Sequence, residues 1–249
     1  MNELFYFDDN WKNIGVKLSG GADSSILYYA VCNYFKDRTD VNIYPMTLDT
    51  EFKPWYSEGA KKIIDKVTQL TGKSPAKHII KYSNKHKDRD TVNFYIEEQV
   101  EMTRNTIKQY RLDVVYSGLT SNPSKEDISE AVIKKYGDDK ITNIALGYIK
   151  GADPKRELGS EVYENVSVSN GKISNSKFSN IRPFIHADKK LVYDVYKYFG
   201  MLEELYPLTY SCETRYQEHR FNIKEQHDWK HCGYCFFCAE RLYAFGKLE

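Results

Sequence analysis

A glycine turn between an apolar segment and a helical pattern is the feature that most constrains this 249-residue chain. The apolar segment Ile14–Leu18, interrupted by Lys17, precedes Ser-Gly-Gly-Ala-Asp-Ser-Ser at residues 19–25, and Ile26–Val31 then has a helical pattern. Glycines let a backbone turn tightly and approach a ligand closely. The unpaired N–H groups and the dipole at a helix start favour a bound anion. The segment therefore predicts a strand, an anion-binding loop and a helix.

The polar side chains of this loop extend the prediction. The hydroxyls of Ser19, Ser24 and Ser25 can donate hydrogen bonds to a phosphate, whereas the carboxylate of Asp23 would repel one. Asp23 is therefore predicted to face a magnesium ion or to orient the loop. The loop is not a Walker A sequence, because no Gly-Lys-Ser/Thr follows the glycines. The alternative is a Gly-Asp turn in which a serine caps the helix.

Strand and helix patterns alternate through the first half of the chain. The further predicted elements are strands at Val41–Leu48, Lys77–Tyr82 and Asp113–Tyr116, and helices at about Ser57–Leu70 and Val92–Tyr110. This alternation predicts an α/β fold, a Rossmann-like parallel sheet with helices on both faces. A polar insertion at about 149–180, with a hairpin signal at Asn170-Gly171, is predicted to leave the sheet. Asp188 is a predicted cap of a helix that ends at Gly200.

Charge and hydropathy exclude some classes of protein. The formal net charge is +1, so no strong overall field attracts the chain to nucleic acid or to a membrane. The first residues lack a signal-peptide pattern, and no apolar run approaches the roughly 18 residues that span a bilayer. We expect a cytoplasmic protein with no membrane partner. The near-neutral charge disfavours a nucleic-acid partner, and it is compatible with a homodimer.

Cysteines cluster in the last part of the chain. The predicted ligands of one tetrahedral zinc site are Cys212, Cys232, Cys235 and Cys238. In a reducing compartment, clustered cysteines usually bind metal rather than form disulfides. His227 and His231 are alternative ligands to the first cysteine, an iron–sulfur cluster is the alternative metal group, and Cys32 is a predicted core residue. The predicted organisation is an α/β domain at 1–205 and a zinc-binding segment at 206–249.

The loop sequence Ser-Gly-Gly-x-Asp-Ser resembles the signature of PP-loop ATP pyrophosphatases, which cut ATP between the α and β phosphates. The resemblance implies an adenine nucleotide alpha hydrolase-like fold with about five parallel strands, and ATP with Mg²⁺ as ligands. It implies that the loop holds the pyrophosphate portion and that the end of the second strand contacts the adenosine. The implied nucleotide-binding residues are Ser19, Gly20, Gly21, Asp23, Ser24, Ser25, Leu48, Asp49 and Gly118.

The C-terminal part resembles 7-cyano-7-deazaguanine synthases, which convert a deazapurine carboxylate into a nitrile for queuosine-type bases. The matching features, in order, are Pro183-Phe184-Ile185, Lys189, Gly200, Thr209-Tyr210-Ser211-Cys212, the Cys-x-x-Cys-x-x-Cys segment, Arg241 and Ala244-Phe245. The resemblance implies that Lys189 and Thr209 lie near the nucleotide or substrate and that the four cysteines bind zinc. The implied catalytic residues are Asp23, Ser24 and Lys189. The implied substrates are 7-carboxy-7-deazaguanine and ammonia.

The middle of the chain departs from that family. The synthases carry a Pro-x-Arg-Asn segment that is missing here, residues 120–124 replace a Tyr-Pro-Asp-Cys segment, and the insertion at 213–231 is longer than usual. A relative that adenylates another carboxylate is therefore an alternative. So are a PP-loop tRNA thiolase, a sulfonucleotide reductase-like protein suggested by the sequence at 49–52, and a non-catalytic zinc protein.

Overall fold

Strands and helices alternate through the first half of the chain, as the sequence predicts. The computed structural model describes residues 4–50, 55–83, 91–136, 167–169, 172–174, 179–212, 231, 233 and 236–249. The strands are β1 (Asn13–Lys17), β2 (Asn42–Thr50), β3 (Ile79–Ser83), β4 (Val114–Tyr116), β5 (Ser167–Ser169), β6 (Lys172–Ser174) and β7 (Ser179–Ile181). The helices are α1 (Ala22–Tyr34), α2 (Tyr56–Thr71), α3 (Thr91–Tyr110), α4 (Lys125–Tyr136), α5 (Lys189–Phe199) and α6 (Phe236–Phe245), with a 3₁₀ helix at Tyr206–Leu208.

The strands form one sheet in the order β3-β2-β1-β4-β7-β6-β5. The five strands from β3 to β7 in that order are parallel, which confirms the predicted Rossmann-like sheet. The chain runs outward from β1 to β3 and then crosses to β4 on the other side of β1. The strand order therefore reverses between β1 and β4. In open α/β sheets, ligands bind outside the carboxyl ends of the strands at this point.

Helices pack on both faces of the sheet because its central strands are apolar on both sides. Ile14 and Val16 of β1 lie in one core with residues of α1, α2 and α5. Met46 of β2 and Val115 of β4 lie in a second core with Met102 of α3. This arrangement confirms the predicted helices on both faces. Within the described residues, no helix combines the length and the apolar character needed to cross a membrane.

Helix ends follow the signals in the sequence. The side chain of Asp188 caps α5 by accepting a hydrogen bond of 2.8 Å from the backbone N–H of Lys190. Gly200, which follows α5, has φ of 69°, in the left-handed region that glycine adopts without strain. Both predicted boundaries of this helix are confirmed.

The polar hairpin forms, but it does not leave the sheet. Strands β5 and β6 are antiparallel, with Ser169 opposite Lys172, which confirms the hairpin; its turn at 170–171 lies outside the described residues. Strand β6 also pairs with β7, so the hairpin extends the edge of the sheet. The expectation of an excursion was wrong, because the exposed edge of a strand offers hydrogen bonds that another strand can satisfy. Residues 149–166 and 175–178 of the insertion lie outside the described residues.

Two helices were not predicted, α4 and α6. The start of α4 does carry a signal: the Ser124 hydroxyl donates to the Asp127 carboxylate at 2.7 Å and accepts from the Asp127 backbone N–H at 3.1 Å. The Ser124 hydroxyl thus satisfies one of the free N–H groups in the first turn of α4, as an N-cap serine does. Helix α4 packs on α6 through Ile128, Val132 and Ala239. The last helix is thereby fixed between α4 and α5.

Candidate nucleotide and metal sites

The loop between β1 and α1 requires glycine. Gly20 has φ of 78°, and a Cβ there would lie 3.0 Å from the backbone carbon of Gly59. The Ser24 hydroxyl accepts a hydrogen bond from the Ser19 N–H and donates one to the Gly21 carbonyl, each at 3.2 Å. The Ser25 hydroxyl donates to the same carbonyl at 2.8 Å. A hydroxyl has one hydrogen to donate, so those of Ser24 and Ser25 shape the loop in this structure instead of donating to a ligand as predicted.

Helix α1 starts at this loop, at the carboxyl end of β1. Its N-cap residue is Gly21, whose position supplies no side-chain cap to the first N–H groups. Such N–H groups are donors for an anion. The loop also lies beside β4, where the strand order reverses. Position and chemistry together make this loop the candidate phosphate site.

Gly118 follows β4 and lies against the start of α1. A Cβ on Gly118 would lie 2.9 Å from the carbonyl carbon of Asp23 and 2.9 Å from the backbone nitrogen of Ser24. The backbone of Gly118 is not in the left-handed region, so contact rather than conformation demands glycine. The predicted residue Gly118 thus belongs to the same site as the loop.

Lys189 reaches the loop from the first turn of α5. Its ammonium group lies 3.2 Å from Oδ2 of Asp23 and 3.1 Å from Oε2 of Glu240 on α6. Lys189 is 2% exposed and Glu240 is fully buried. A charge is tolerated in such an environment only when it is paired. The structure therefore brings together Asp23, Ser24 and Lys189, which are the predicted catalytic residues.

The segment 209–211 forms another wall of the loop. The backbone N–H of Tyr210 donates to the carbonyl of Gly20 at 2.9 Å. The buried guanidinium of Arg241 donates to the hydroxyls of Thr209 at 2.9 Å and Ser211 at 3.4 Å. A Cβ on the loop residue Gly21 would lie 3.5 Å from the Ser211 hydroxyl. Thr209, which is implied to lie near the ligand, is therefore held beside the phosphate loop.

The two predicted residues at the end of β2 have structural partners. Leu48 is buried in the core beneath α3. Asp49 accepts a hydrogen bond of 2.7 Å from the backbone N–H of Ser57, at the start of α2. Burial raises the pKa of the Asp49 carboxyl, and the bonds from Ser57 act in the opposite direction. The contact of Leu48 and Asp49 with adenosine stays a prediction. We expect it to involve their backbone atoms, because the Leu48 side chain is in the core and the Asp49 side chain is bonded to Ser57.

The described cysteines separate into two environments. Cys212 and Cys238 are both buried in one cluster with Tyr210, near the phosphate loop. Cys232 and Cys235 lie outside the described residues, as does His227; within the described part, no group of three or more metal-ligating side chains forms. Two buried thiols in one cluster are compatible with zinc ligation. The zinc site therefore stays a prediction.

His231 lies next to the cluster of Cys212 and Cys238, whereas Cys32 lies apart from it. The imidazole Nε2 of His231 accepts from the backbone N–H of Ser211 at 3.5 Å, and its ring lies 4.9 Å from that of Tyr210. His231 thus lies beside the thiol cluster, where it remains an alternative ligand. Cys32 lies in the main core, as predicted, and burial raises the pKa of its thiol to about 12.

Sequence reasoning missed Glu240 and gave no role to Arg241. A signal was available, because these two charges interrupt the apolar pattern of Phe236–Leu242. Charged residues on the buried face of a helix need partners. What the pattern does not identify is the partner, since Asp23 and Lys189 are distant in sequence.

No protein-family model matches the sequence, and no curated protein matches it. Among solved structures, the U34-tRNA thiolase NcsA from Methanococcus maripaludis with its 4Fe-4S cluster is similar, with a TM-score of 0.46 and 14% identity. The similarity covers 96% of this chain and 72% of the thiolase chain. A likeness at this level does not establish a shared activity, so the site itself has to support a function.

Proposed function

We propose that this chain is an ATP pyrophosphatase of the PP-loop type, which adenylates a carboxylate and releases pyrophosphate. The observation that carries the proposal is the Ser-Gly-Gly-Ala-Asp-Ser-Ser loop, which lies at the start of α1 where the strand order reverses. The paired Lys189 and Asp23 border that loop. A nucleotide polyphosphate is the ligand that fits a loop of backbone donors at this position in a parallel sheet.

The residues of the site suit a reaction that depends on positioning and electrostatics. The substrate carboxylate attacks the α-phosphorus of ATP, and pyrophosphate leaves. The N–H groups of the loop stabilise the negative charge that develops on the leaving group. Asp23 would hold Mg²⁺, which would supply stabilisation of the negative charge on the polyphosphate. Ammonia then attacks the acyl-adenylate carbonyl, AMP leaves, and an amide results.

We propose a deazapurine carboxylate, 7-carboxy-7-deazaguanine, as the acid. The support is that Lys189 and the segment 209–211, which belong to the resemblance, lie beside the loop. Thr209 and Arg241 are joined by a hydrogen bond, and Lys189 pairs with Asp23. A second adenylation, of the amide oxygen, would expel that oxygen with AMP and leave the nitrile. We also propose that Cys212, Cys232, Cys235 and Cys238 hold a structural zinc ion.

The products of ATP cleavage test the activity. With ATP, Mg²⁺, ammonium and 7-carboxy-7-deazaguanine, we expect AMP and pyrophosphate, measured by chromatography and a pyrophosphatase-coupled assay. Asp23→Ala and Ser24→Ala should each lower the rate about 100-fold or more, as the loss of a preorganised electrostatic group does. Asp194→Ala, which changes an exposed aspartate of α5, is the control and should be as active as wild type. Formation of ADP would contradict the proposal.

The product from the acid tests the substrate. Nitrile would mean that both adenylation steps occur with the divergent segment 120–124 in place. Amide alone would mean that the second step is lost. AMP formation from another carboxylate, without turnover of the deazapurine acid, would reject the proposed substrate and keep the adenylating chemistry.

Gly118→Ala tests whether the end of β4 supports the loop. The added methyl group would collide with backbone atoms of Asp23 and Ser24 at 2.9 Å, and backbone cannot rotate away. We expect AMP formation to fall at least tenfold, with a loss of about 1–3 kcal/mol in the free energy of unfolding. Gly15→Ala is the matched control, because the atoms nearest to its methyl group are side-chain atoms of Leu112, Met46 and Val115 and not the backbone of the loop. Equal activity of the two variants would contradict the assignment.

A further inference from the structure

A lysine shared by a half-buried and a buried carboxylate lies behind the phosphate loop. Lys189 bridges Asp23 on α1 and Glu240 on α6, with distances of 3.2 and 3.1 Å from its nitrogen. The three side chains come from elements that are far apart in sequence and meet only at this loop. The site described above uses Asp23 and Lys189, and it leaves Glu240 without a role.

The charges of this group are not balanced. Two carboxylates and one ammonium give a net charge of −1 for the three paired side chains. The neighbouring cation, Arg241, donates from Nε and Nη1 to the carbonyl of Leu248 and to Thr209 and Ser211, and its Nη2 has no hydrogen-bond partner among the residues described. Among the residues described, neither Oδ1 of Asp23 nor Oε1 of Glu240 has a hydrogen-bond partner. A buried carboxylate oxygen without a donor, beside an anion site, suits a divalent cation.

Binding of that cation changes the partners of Asp23. If Asp23 turns its carboxylate to Mg²⁺, Lys189 loses its contact with one of the two carboxylates that lie beside it among the described residues, in a site that is almost closed to water. Loss of a counter-charge from a buried ammonium would oppose metal binding, because a buried charge depends on its partners to offset desolvation. Glu240 is fully buried and lies 3.1 Å from the same ammonium, so it can keep Lys189 paired when Asp23 turns away.

We propose that Glu240 is a positioning residue, which retains Lys189 so that Asp23 can bind the Mg²⁺ that accompanies the polyphosphate. The proposal rests on the proposed function for the identity of the ligand. It assigns to Glu240 an effect on metal affinity that is transmitted through Lys189. A glutamate with a merely structural role would affect stability alone.

The test follows the melting temperature while MgCl₂ is added to protein in excess inorganic pyrophosphate. Wild type should show a saturable rise, and Glu240→Gln should shift its midpoint to at least tenfold higher Mg²⁺. In a Lys189→Met background, the same substitution should change the midpoint less than twofold, because Lys189 transmits the effect. Glu240→Asp keeps the charge and should fall between; it serves alone if Glu240→Gln does not fold.

Glu98→Gln is the matched control. Glu98 of α3 is also buried and lies 2.9 Å from Lys81, on the other face of the sheet. Its substitution should lower the melting temperature and leave the Mg²⁺ midpoint unchanged. The proposal is overturned if wild type shows no Mg²⁺ response, if Glu240→Gln has the wild-type midpoint, or if the shift is as large without Lys189. The titration needs no turnover, so failure to form AMP is a separate result.

Discussion

Replacement of Lys189 by Met should lower the free energy of unfolding by roughly 3–5 kcal/mol, the effect of breaking a buried ion pair by removing one partner. The reason is that Asp23 and Glu240 would then face each other without the ammonium that lies 3.2 and 3.1 Å from them. AMP formation should be lost as well, because Lys189 would no longer fix the position of the Asp23 carboxylate at the loop. Urea unfolding followed by circular dichroism measures the first effect.

An exposed lysine supplies the control for Lys189→Met. Lys247 pairs with Glu203 at 3.2 Å on the surface, where both side chains are largely in water. Lys247→Met should change stability by about 1 kcal/mol or less. In contrast, the double variant Lys189→Met with Glu240→Leu should recover part of the lost stability, since it removes one of the two unpaired charges. Equal stability of Lys189→Met and wild type would contradict the buried network.

The sheet and the phosphate loop could be predicted because their signals are local. The apolar segment at Ile14–Leu18 and the following glycines define a strand and a turn within a dozen residues. Gly72 and Gly200 marked helix ends for the same reason, and both have positive φ. Alternation of such elements then restricts the sheet to parallel topologies. The ligand end of the sheet follows from that topology alone.

The rest of the site depends on contacts between distant residues. The pattern around Asn170-Gly171 indicates a hairpin, but the pairing of its second strand with β7 is a tertiary choice. Glu240 is acidic in an apolar stretch, and only the packing of α6 on α5 shows that Lys189 is its partner. The close approach of Gly118 to Asp23 likewise joins residues almost a hundred positions apart. The periodicity of apolar residues in the sequence does not predict such tertiary contacts.

Substitution of Cys212 by Ser should have the other large effect, loss of one zinc ion per chain together with much of the stability. Zinc binding by cysteine sites is coupled to folding by on the order of 10 kcal/mol. Cys212 and Cys238 lie buried in one cluster, so a serine there would also leave a hydroxyl among apolar neighbours. Metal analysis of protein purified without added zinc, combined with urea unfolding, measures both effects. Cys235→Ser should behave in the same way.

Cys32 provides the matched control, because it is fully buried in a different core. Cys32→Ala should leave the zinc content unchanged and cost only about 1–2 kcal/mol, as small core substitutions do. An iron-rich, brown preparation would show that the cysteines bind an iron–sulfur cluster instead of zinc. Full stability of the metal-free protein would reject a metal site.

Loss of zinc should also weaken ligand binding at the phosphate loop. Cys212 directly follows the segment 209–211 that borders the loop, and Cys238 lies on α6 two positions before Glu240. A metal that joins these cysteines would fix both elements against Gly20 and Lys189. Removal of zinc by a chelator should therefore weaken Mg²⁺-pyrophosphate binding in wild type and in Cys32→Ala alike. Mg²⁺-pyrophosphate binding that persisted after complete removal of the metal would mean that zinc stabilises the C-terminal segment 206–249 alone. The contacts of Arg241 and Lys189 would then be sufficient to hold the loop.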